Sequence, residues 1–423
     1  MALRLLLLYY HCCATPYSSS SSYSYTPLTR ASPPLRYDGG RLVSSPKFQG
    51  LRAEALTRDN VALSPETVAI LDRSDSKTIR CFDIATGKMS GTITHKAEVE
   101  VVRLSQFGRG AAERRVALID RNRELHMAPV VPIAGARATH KLLAQVDTVA
   151  WNDESDMLAA IADSRLTVWY YPNAVWVDAD LLKLTADVRD GKEFGKMPQI
   201  KSFSGPRLAV RRADGSLLTA GTSYYPAMLY KAAGGGSWEE ALRLCRFVKD
   251  DKMWASLACM AINKGKLDAA EEALAQVNEV DKLEFIRAIA EIPSDVARNA
   301  QLALYRRVPD EAEAILLQAQ PPLRYRAIKL NITMYNWKRA LQLALQSPAT
   351  HVETVVAYRT KYLAHFNKNE TDGGFLDARK HLGDAHPVLE NGQVTINWDV
   401  IEEGERNEVA NEKASAGGGR SHK

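Results

Sequence analysis

Cysteine is scarce in this chain, and the cysteines show no CxxC spacing. The five cysteines are scattered and odd in number, namely Cys12, Cys13, Cys81, Cys245 and Cys259. This pattern argues against a disulfide scaffold and a clustered zinc site, and it favours a reducing compartment. No run approaches the roughly 18 consecutive apolar residues that a membrane helix needs, so we expect no membrane-spanning segment.

Strong net charge is missing as well, since the formal charge is only +5 over 423 residues. A protein that binds nucleic acid would need a concentrated basic face, so we predict no nucleic-acid partner. The hydrophobic content of 46% and the charged content of 25% are typical of a soluble globular protein. A chain of this length can form about two or three domains.

Signatures of catalysis and ligand binding are also lacking. The GGGS run at residues 234–237 has no lysine to reach a phosphate, and we interpret it as a hinge. Neither a GxSxG elbow nor an HExxH motif occurs. His381, Asp384 and His386 lie close in sequence but without metal-ligand spacing. We therefore predict no catalytic, cofactor-binding or metal-binding residue, no cofactor and no small-molecule substrate, and we predict that the protein is not an enzyme.

Residues 1–45 differ in composition from the rest of the chain. The first acidic residue is Asp38, and Leu5, Leu6, Leu7 and Leu8 form a short apolar run. One interpretation is a secretory or organellar targeting peptide. The other is a disordered segment or an erroneous first exon.

The most informative stretch is WYYPNAVWVD at residues 169–178. Aromatic and β-branched residues alternate up to Tyr171 and predict a strand, which Pro172 and Asn173 should end. Twelve strands recur about every ten residues and indicate a sandwich or a propeller. They are predicted at residues 61–63, 67–71, 79–84, 99–104, 115–120, 124–127, 146–151, 157–161, 166–171, 200–203, 208–212 and 216–219. The charged residues between Asp178 and Met197 are predicted to form a surface loop or a short helix.

Residues 46–222 are therefore predicted to form a partial β-propeller. Phe82-Asp83, with a turn at residues 86–88, and later Val168-Trp169 look like degenerate blade endings of the WD type. At about 40 to 45 residues per blade, the segment makes about four blades. Four blades taken from a larger ring would leave sheet edges open.

Residues 223–385 carry helix signals only. Capping boxes are predicted at Ser237 with Glu240 and at Thr350 with Glu353, and Asn336 should cap another helix. The pattern W-x-x-A-L-x-L at Trp238 recurs at Trp337, and Ala273-Leu274 and Ala312 suggest weaker copies between them. This spacing indicates a TPR-like α-solenoid of helix pairs, with a closed helical bundle as the alternative. Residues 386–423 are predicted to be a weakly structured tail, with a last docked element near Trp398.

The predicted fold class is thus multidomain, β then α: a partial WD-type propeller followed by a TPR-like solenoid. Both folds expose large surfaces, so the residues predict a scaffold for protein–protein interaction. Cys245, Cys259 and the repeated tryptophans are interpreted as buried core residues. Propeller followed by solenoid also occurs in vesicle-coat subunits, so the fold class does not choose between transport systems.

Four motifs resemble the family of eighty-kilodalton WD-repeat subunits of intraflagellar transport complex B. They are residues 169–178, the RRADGSL run at 211–217, the WEEALRLCRFVK run at 238–249 and the YNWKRAL run at 335–341. The resemblance extends from about Pro46 to Val409 and corresponds to the back half of the family's architecture. It implies that a complete first propeller and the opening blades of a second precede the matching part in the family, and that residues 1–45 are not a targeting peptide.

The resemblance implies a structural subunit that acts in anterograde ciliary transport and in cilium assembly. It implies contacts with other complex B subunits and self-association as a homodimer. It also implies a location in the cilium or flagellum and at the basal body, with a cytoplasmic pool. The alternative that we keep is a coat-like scaffold in vesicle traffic.

Overall fold

The computed structural model describes residues 23–26, 35–38, 41–44, 57–72, 75–108, 110–133, 139–347, 349–382, 389–390, 393–394 and 398–417. The chain divides into two compact units, Met1–Val280 and Asp281–Lys423. Among the described helices, none combines the length and the apolar character needed to cross a bilayer.

The first unit contains antiparallel sheets followed by helices. Its strands are β1 (Tyr23–Thr26), β2 (Leu35–Asp38), β3 (Arg41–Ser44), β4 (Val61–Leu63), β5 (Thr67–Leu71), β6 (Thr78–Asp83), β7 (Met89–Thr94), β8 (Val99–Leu104), β9 (Arg115–Asp120), β10 (Leu125–Pro129), β11 (His140–Leu143), β12 (Val146–Trp151), β13 (Leu158–Ala162), β14 (Arg165–Trp169), β15 (Ala186–Asp190), β16 (Gln199–Ser204), β17 (Arg207–Arg211) and β18 (Leu217–Gly221). β1–β3 and β16–β18 form three-stranded sheets, and β4–β7, β8–β11 and β12–β15 each form a four-stranded sheet. The four consecutive sheets from β4 to β18 confirm the predicted count of about four blades.

The first strands of these four sheets lie side by side in chain order. β4 contacts β8, β8 contacts β12, and β12 contacts β16. Backbone bonds also join neighbouring blades, since Val102 N–H of β8 donates to Asp59 C=O before β4 at 2.7 Å, and Val146 N–H of β12 donates to Arg123 C=O between β9 and β10 at 2.9 Å. Inner strands placed side by side in this way are the arrangement of propeller blades, so the prediction of a partial propeller is confirmed.

Apolar residues of the first two blades form one core. The buried members of this core include Ile79, Cys81, Val102, Leu104, Val116 and Leu118. Gly91 on β7 is required by this packing, because a Cβ atom there would lie 2.0 Å from the Val130 carbonyl oxygen. The two blades therefore meet backbone against backbone at Gly91.

Three outer strands, β7, β11 and β15, were not predicted from the sequence. In β7 only Ile93 is buried, so the alternation that marks a half-buried strand is weak. The predicted loop or short helix between Asp178 and Met197 is partly correct, because a helix covers Ala179–Leu184. It is wrong for Asp187, which pairs with Val168 of β14, because the hydrogen-bonded ladder of a neighbouring strand overrides the charged composition.

The helices that the structure describes begin in the second blade, and most of them follow the last sheet of the propeller. They are α1 (Gly110–Glu113), α2 (Ala179–Leu184), α3 (Tyr225–Gly234), α4 (Trp238–Val248), α5 (Asp251–Asn263), α6 (Leu267–Gln276), α7 (Val280–Ala290), α8 (Asp295–Tyr305), α9 (Pro309–Gln318), α10 (Arg324–Thr333), α11 (Trp337–Leu345), α12 (Ala349–His365), α13 (Gly373–Leu382) and α14 (Trp398–Gly417). The break predicted at Pro321 and Pro322 falls between α9 and α10 and is confirmed.

Four of the helix pairs share one backbone turn, which we call the repeat turn. It joins α3 to α4, α5 to α6, α8 to α9, and α10 to α11. In each turn a residue with positive φ precedes the N-cap residue: Gly236 at 81°, Gly265 at 69°, Arg307 at 61° and Tyr335 at 58°. The N-cap N–H then donates to the carbonyl five residues earlier, at 3.0, 2.8, 3.0 and 2.8 Å for Ser237, Lys266, Val308 and Asn336. This is the hydrogen-bond pattern of a Schellman turn, and it confirms the left-handed cap predicted at Gly265.

A buried alanine follows every repeat turn. The fourth residue after the N-cap is Ala241, Ala270, Ala312 or Ala340, and each has no exposed surface. The eighth residue is Cys245, Leu274, Leu316 or Ala344, and each is buried as well. Two helices can approach closely only where the side chain between them is small, so the alanine fixes the pairing of the helices. The recurring unit confirms the TPR-like helix pairs and places the first weak copy at Ala270 rather than at Ala273.

Two of the predicted caps are wrong in detail. Ser237 and Asn336 are the N-cap residues of α4 and α11, but neither side chain accepts a hydrogen bond from its helix. The repeat turn is the reason, because it brings the chain into the helix with ψ near 65° at both residues. The helix α12 begins at Ala349, one residue before the predicted cap Thr350.

The second unit consists mainly of helices around one apolar cluster. Its buried members include Ala312, Leu316, Ile328, Leu341, Val355 and Phe375. The short strands β19 (Leu389–Glu390) and β20 (Gln393–Val394) precede α14. Trp398 lies edge-on to Tyr358, with ring centroids 5.3 Å apart, and the Lys329 ammonium lies 2.6 Å from the Glu405 carboxylate. The predicted docked element near Trp398 is thus the start of a helix of 20 residues.

Candidate functional site

The stretch at residues 169–178 lies where the third blade meets the first helices. β14 ends at Trp169, and Pro172–Trp176 then forms a 3-10 turn with Pro172 at its start. Tyr170 and Tyr171 are only 3% and 5% exposed. The sequence therefore turns the chain inward at Pro172, and the residues that follow belong to the core of the first unit.

Asn173 connects two charged side chains inside this core. The Arg115 guanidinium donates from Nε to Asn173 Oδ1 at 2.9 Å. The Asn173 amide Nδ2 in turn donates to Asp156 Oδ2. We call these three residues the junction relay. The relay spans 58 and 17 residues of sequence in its two bonds, so it forms only when the second and third blades are in place.

Burial dominates the electrostatics of the junction relay. Loss of solvent raises the pKa of Asp156 to about 7, and the nearby Arg115 charge only partly opposes this shift. Burial also lowers the pKa of Arg115, whose guanidinium lies 4.9 Å from the centre of the Trp176 ring. A desolvated carboxyl and a desolvated guanidinium joined by an amide stabilise each other when all three are present.

Next to the junction relay, aromatic side chains of the sheets pack against the helices of the same unit. Tyr230 of α3 packs edge-on against Phe107, with ring centroids 4.7 Å apart, and its ring lies 6.3 Å from that of Tyr171. Asn263 at the end of α5 donates to the Tyr171 hydroxyl at 3.4 Å. Burial raises the pKa of both tyrosine hydroxyls, so they stay neutral. The side chains around the junction relay thus pack the sheets against the helices of the first unit.

The thiols of the described residues are buried. Cys81, Cys245 and Cys259 have no exposed surface, which confirms the interpretation of Cys245 and Cys259 as core residues. Burial raises the pKa of Cys81 and of Cys245 to about 12. A thiol with such a pKa is not a nucleophile at neutral pH, so these two side chains act through packing.

An aromatic surface, made of Tyr335, Trp337, Tyr362 and Phe366, lies on the second unit. Ring centroids are 6.0 Å apart for Tyr335 and Trp337, 5.2 Å for Trp337 and Tyr362, and 5.0 Å for Tyr362 and Phe366. Tyr335 is 63% exposed and Phe366 is 52% exposed. Exposed aromatic clusters are typical of protein–protein contact sites.

Arg359 supports this surface from below. Its guanidinium lies 5.5 Å from the Trp337 ring centre and 5.4 Å from that of Phe375, and it bonds the Glu370 carboxylate at 2.9 Å. An open cleft beside it is lined by Arg359, Tyr362, Leu363, Lys368, Asn369 and Thr371. Because Arg359 is held by Glu370 and Phe375, it helps to hold the Trp337 ring of the aromatic surface in place before any partner binds.

The structure places the other residues discussed from the sequence as follows. Residues 234–237 form the end of α3 and the repeat turn before α4. His381 lies in α13, whereas Asp384 and His386 lie outside the described residues. Sequence reasoning missed Arg115, Asp156 and Asn173 as one group. The available signal was the asparagine after Pro172 within an otherwise aromatic run.

Two family models match the chain in consecutive parts. The model of the IFT80 second beta-propeller matches residues 35–225. The model of the IFT80/172/WDR35/WDR19 TPR domain matches residues 253–414. The order of the two matches is that of the sheets and helices in the structure.

Curated relatives match along nearly the whole chain. The intraflagellar transport protein 80 homolog of Mus musculus is 41% identical over 387 residues, which cover 91% of this chain and 48% of that protein. The homolog of Rattus norvegicus is 42% identical over the same shares of both chains. The intraflagellar transport protein 172 homolog of Drosophila melanogaster is 22% identical over 330 residues, covering 74% of this chain and 17% of that protein. The chain thus spans about half the length of the first two relatives.

Proposed function

We propose that this chain, which matches the IFT80 second beta-propeller over residues 35–225 and the IFT80/172/WDR35/WDR19 TPR domain over residues 253–414, is a structural subunit of intraflagellar transport complex B. Its role is that of a scaffold in anterograde ciliary transport and in cilium assembly. The single observation that carries the proposal is the 41% identity over 91% of the chain, which runs through both domains in order. The named relatives are intraflagellar transport proteins and give no support to the vesicle-coat alternative.

The arrangement of the side chains supports a scaffold that is not an enzyme. In the junction relay Arg115 and Asp156 are each hydrogen-bonded to the Asn173 amide, and the thiols of Cys81 and Cys245 are protonated and buried. Folds built from blades and helix pairs present extended surfaces to partners. We propose the domain division 46–222 for the propeller, 223–385 for the helix pairs and 386–423 for the tail.

The proposed partners are other complex B subunits, and a second copy of the chain is a further proposed partner. The aromatic surface is the proposed contact site on the second unit, because Tyr335 and Phe366 are large, apolar and exposed. The proposed location is the cilium or flagellum and the basal body, with a pool in the cytoplasm.

Affinity purification of the tagged chain from ciliated cells tests the proposal. Co-purification of intraflagellar transport proteins and signal along the cilium are expected. Recovery of coat proteins from vesicles, with no intraflagellar transport protein, would reject the proposal in favour of the coat alternative.

A double variant tests the contact site. Tyr335→Ser with Phe366→Ser should reduce co-purification while the chain stays folded, because both side chains are mostly exposed. The matched control is Phe247→Ser, since Phe247 is 75% exposed in the first unit. Equal co-purification of the double variant and the control would exclude the aromatic surface as the contact site.

A further inference from the structure

Basic side chains from the first, second and fourth blades lie close together on the first unit. Arg58 precedes β4, Arg103 lies on β8, Lys201 lies on β16, and Arg211 ends β17. Because β8 contacts β12 and β12 contacts β16, a single strand separates Arg103 from Lys201. We call Arg58, Arg103, Lys201 and Arg211 the basic cluster.

The first half of the basic cluster is held in place by Arg103. Its guanidinium donates to the Arg58 carbonyl at 3.2 Å and to the Asp59 carboxylate at 2.7 Å. The Arg103 side chain is 22% exposed and that of Asp59 is 55% exposed. Within the described parts of the first unit, Asp59 is the one carboxylate that pairs with the basic cluster.

The second half has a neutral partner instead of a carboxylate. The Lys201 ammonium and the Arg211 guanidinium both donate to Gln199 Oε1, at 2.7 and 3.3 Å. An amide oxygen shared by two cations leaves both positive charges uncompensated. Burial, together with the positive charges of the other three members, lowers the pKa of Lys201 to about 8. The cationic form of Lys201 is therefore disfavoured until a further negative charge arrives.

The strand between the two halves presents small side chains and no available carboxylate. On β12, Thr148 and Ala150 are half-buried, and Thr148 Oγ1 accepts the N–H of Ile200 at 3.1 Å. The acidic residue of this strand, Asp147, pairs with Arg123. Side chains of a partner can therefore approach both halves of the basic cluster over this strand.

We propose that the basic cluster binds an acidic segment of a partner protein. Guanidinium groups bind carboxylates through paired N–H···O bonds, and a carboxylate beside the ammonium offsets the repulsion from the neighbouring cations. Charge complementarity selects this partner, because four cations face one paired carboxylate. A protein segment is favoured over nucleic acid, since the net charge is only +5 over 423 residues. This site rests on the scaffold role proposed above, and it lies on the first unit, whereas the aromatic surface lies on the second.

Fluorescence anisotropy with the purified full chain tests this site. The probe is a short labelled peptide of alternating Glu and Ser, and the comparison peptide has Gln in place of every Glu. The Glu peptide should bind saturably, the Gln peptide should not, and added salt should weaken binding. Lys201→Gln with Arg211→Gln should weaken binding of the Glu peptide by about tenfold or more.

The matched control is Lys183→Gln with Lys192→Gln, which removes the same charge from exposed residues of the same unit. It should bind the Glu peptide within about twofold of the unaltered chain. Circular dichroism shows whether both variants fold. If the cluster variant does not fold, amine labelling of the unaltered chain decides the question, because the Glu peptide should protect Lys201 and leave Lys183 reactive.

Three results would each overturn the proposal: equal binding of the two peptides, equal affinity in the two variants, or tighter binding of single-stranded DNA or phosphatidylserine vesicles than of the Glu peptide. None of them would change the proposed membership of complex B, which co-purification from ciliated cells tests separately.

Discussion

The sheets and the helix pairs stabilise their interiors in different ways. The sheets bury charged side chains, such as Arg114 at 1% and Asp156 at 4% exposure. The repeat turns instead bury an alanine, and the hydrogen bond that closes each turn spans only five residues. Partners in the junction relay are as many as 58 residues apart. A buried charge therefore depends on the assembled sheets, whereas a repeat turn depends on its local sequence.

The largest expected effect comes from breaking the junction relay. Asn173→Ala removes the partner of both Arg115 and Asp156, and hydrogen bonds to charged groups contribute about 1.5 to 3 kcal/mol each. We expect a loss of about 3 kcal/mol in unfolding free energy, measured by urea unfolding with tryptophan fluorescence. The control Asn122→Ala changes an exposed residue of the same unit and should stay within about 0.5 kcal/mol. Equal losses of unfolding free energy in the two variants would show that the junction relay stabilises the chain no more than an exposed residue does.

Unfolding free energy measured as a function of pH tests the effect of burying Asp156 in the sheets. The pKa of Asp156 is raised from 3.8 to about 7 in the folded chain, so between these values the folded state binds more protons than the unfolded state. Stability of the unaltered chain therefore falls as pH rises through this window, and Asp156→Asn removes that dependence. The difference in unfolding free energy between the two chains should change by about 2 kcal/mol from about pH 5 to about pH 7. A difference that stays constant with pH would contradict the burial effect.

Overpacking a repeat turn tests the helical side of the comparison. Ala312→Leu places a large side chain between α8 and α9 and should cost more than about 1 kcal/mol. The matched control Ala314→Leu lies on the exposed face of the same helix and should have little effect. Ala270→Leu with its control Ala275→Leu repeats the experiment in the first unit. Thermal unfolding followed by circular dichroism measures both pairs, and a buried-site variant as stable as its control would show that the alanine is not required.

The smallest effects should come from the residue with positive φ. Gly236→Ala puts a Cβ on a residue at φ 81° and should cost about 1 kcal/mol, although the space around it is open. Arg307→Gly, at an exposed residue with φ 61°, should change stability by less than about 1 kcal/mol and in the opposite direction. Differential scanning calorimetry of the two variants gives both signs. A loss of stability in both variants would mean that the two turns do not share one conformation in solution.

The helices were the more predictable part of the molecule. Repetition of tryptophan, alanine and leucine at fixed spacing located α4 and α11, because helix periodicity is a local property. The cap chemistry was less predictable, since the repeat turn left the side chains of Ser237 and Asn336 without their expected bonds. Inner strands were found from their alternation, but the outer strand β15 was missed because its pairing with β14 is a tertiary contact.

By itself the sequence determined the order of sheets before helices, because strands and helices have periods of two and 3.6 residues. It also determined the blade count from the length of the sheet region at about 40 to 45 residues per blade, and the helix-pair repeat from the recurring W-x-x-A-L-x-L pattern. Only the tertiary structure decided which distant polar residues meet. It joins Arg115, Asn173 and Asp156, and it brings Arg103 to Asp59. The physical reason is that a residue's spacing along its own strand carries no information about the residue that the next strand places opposite it.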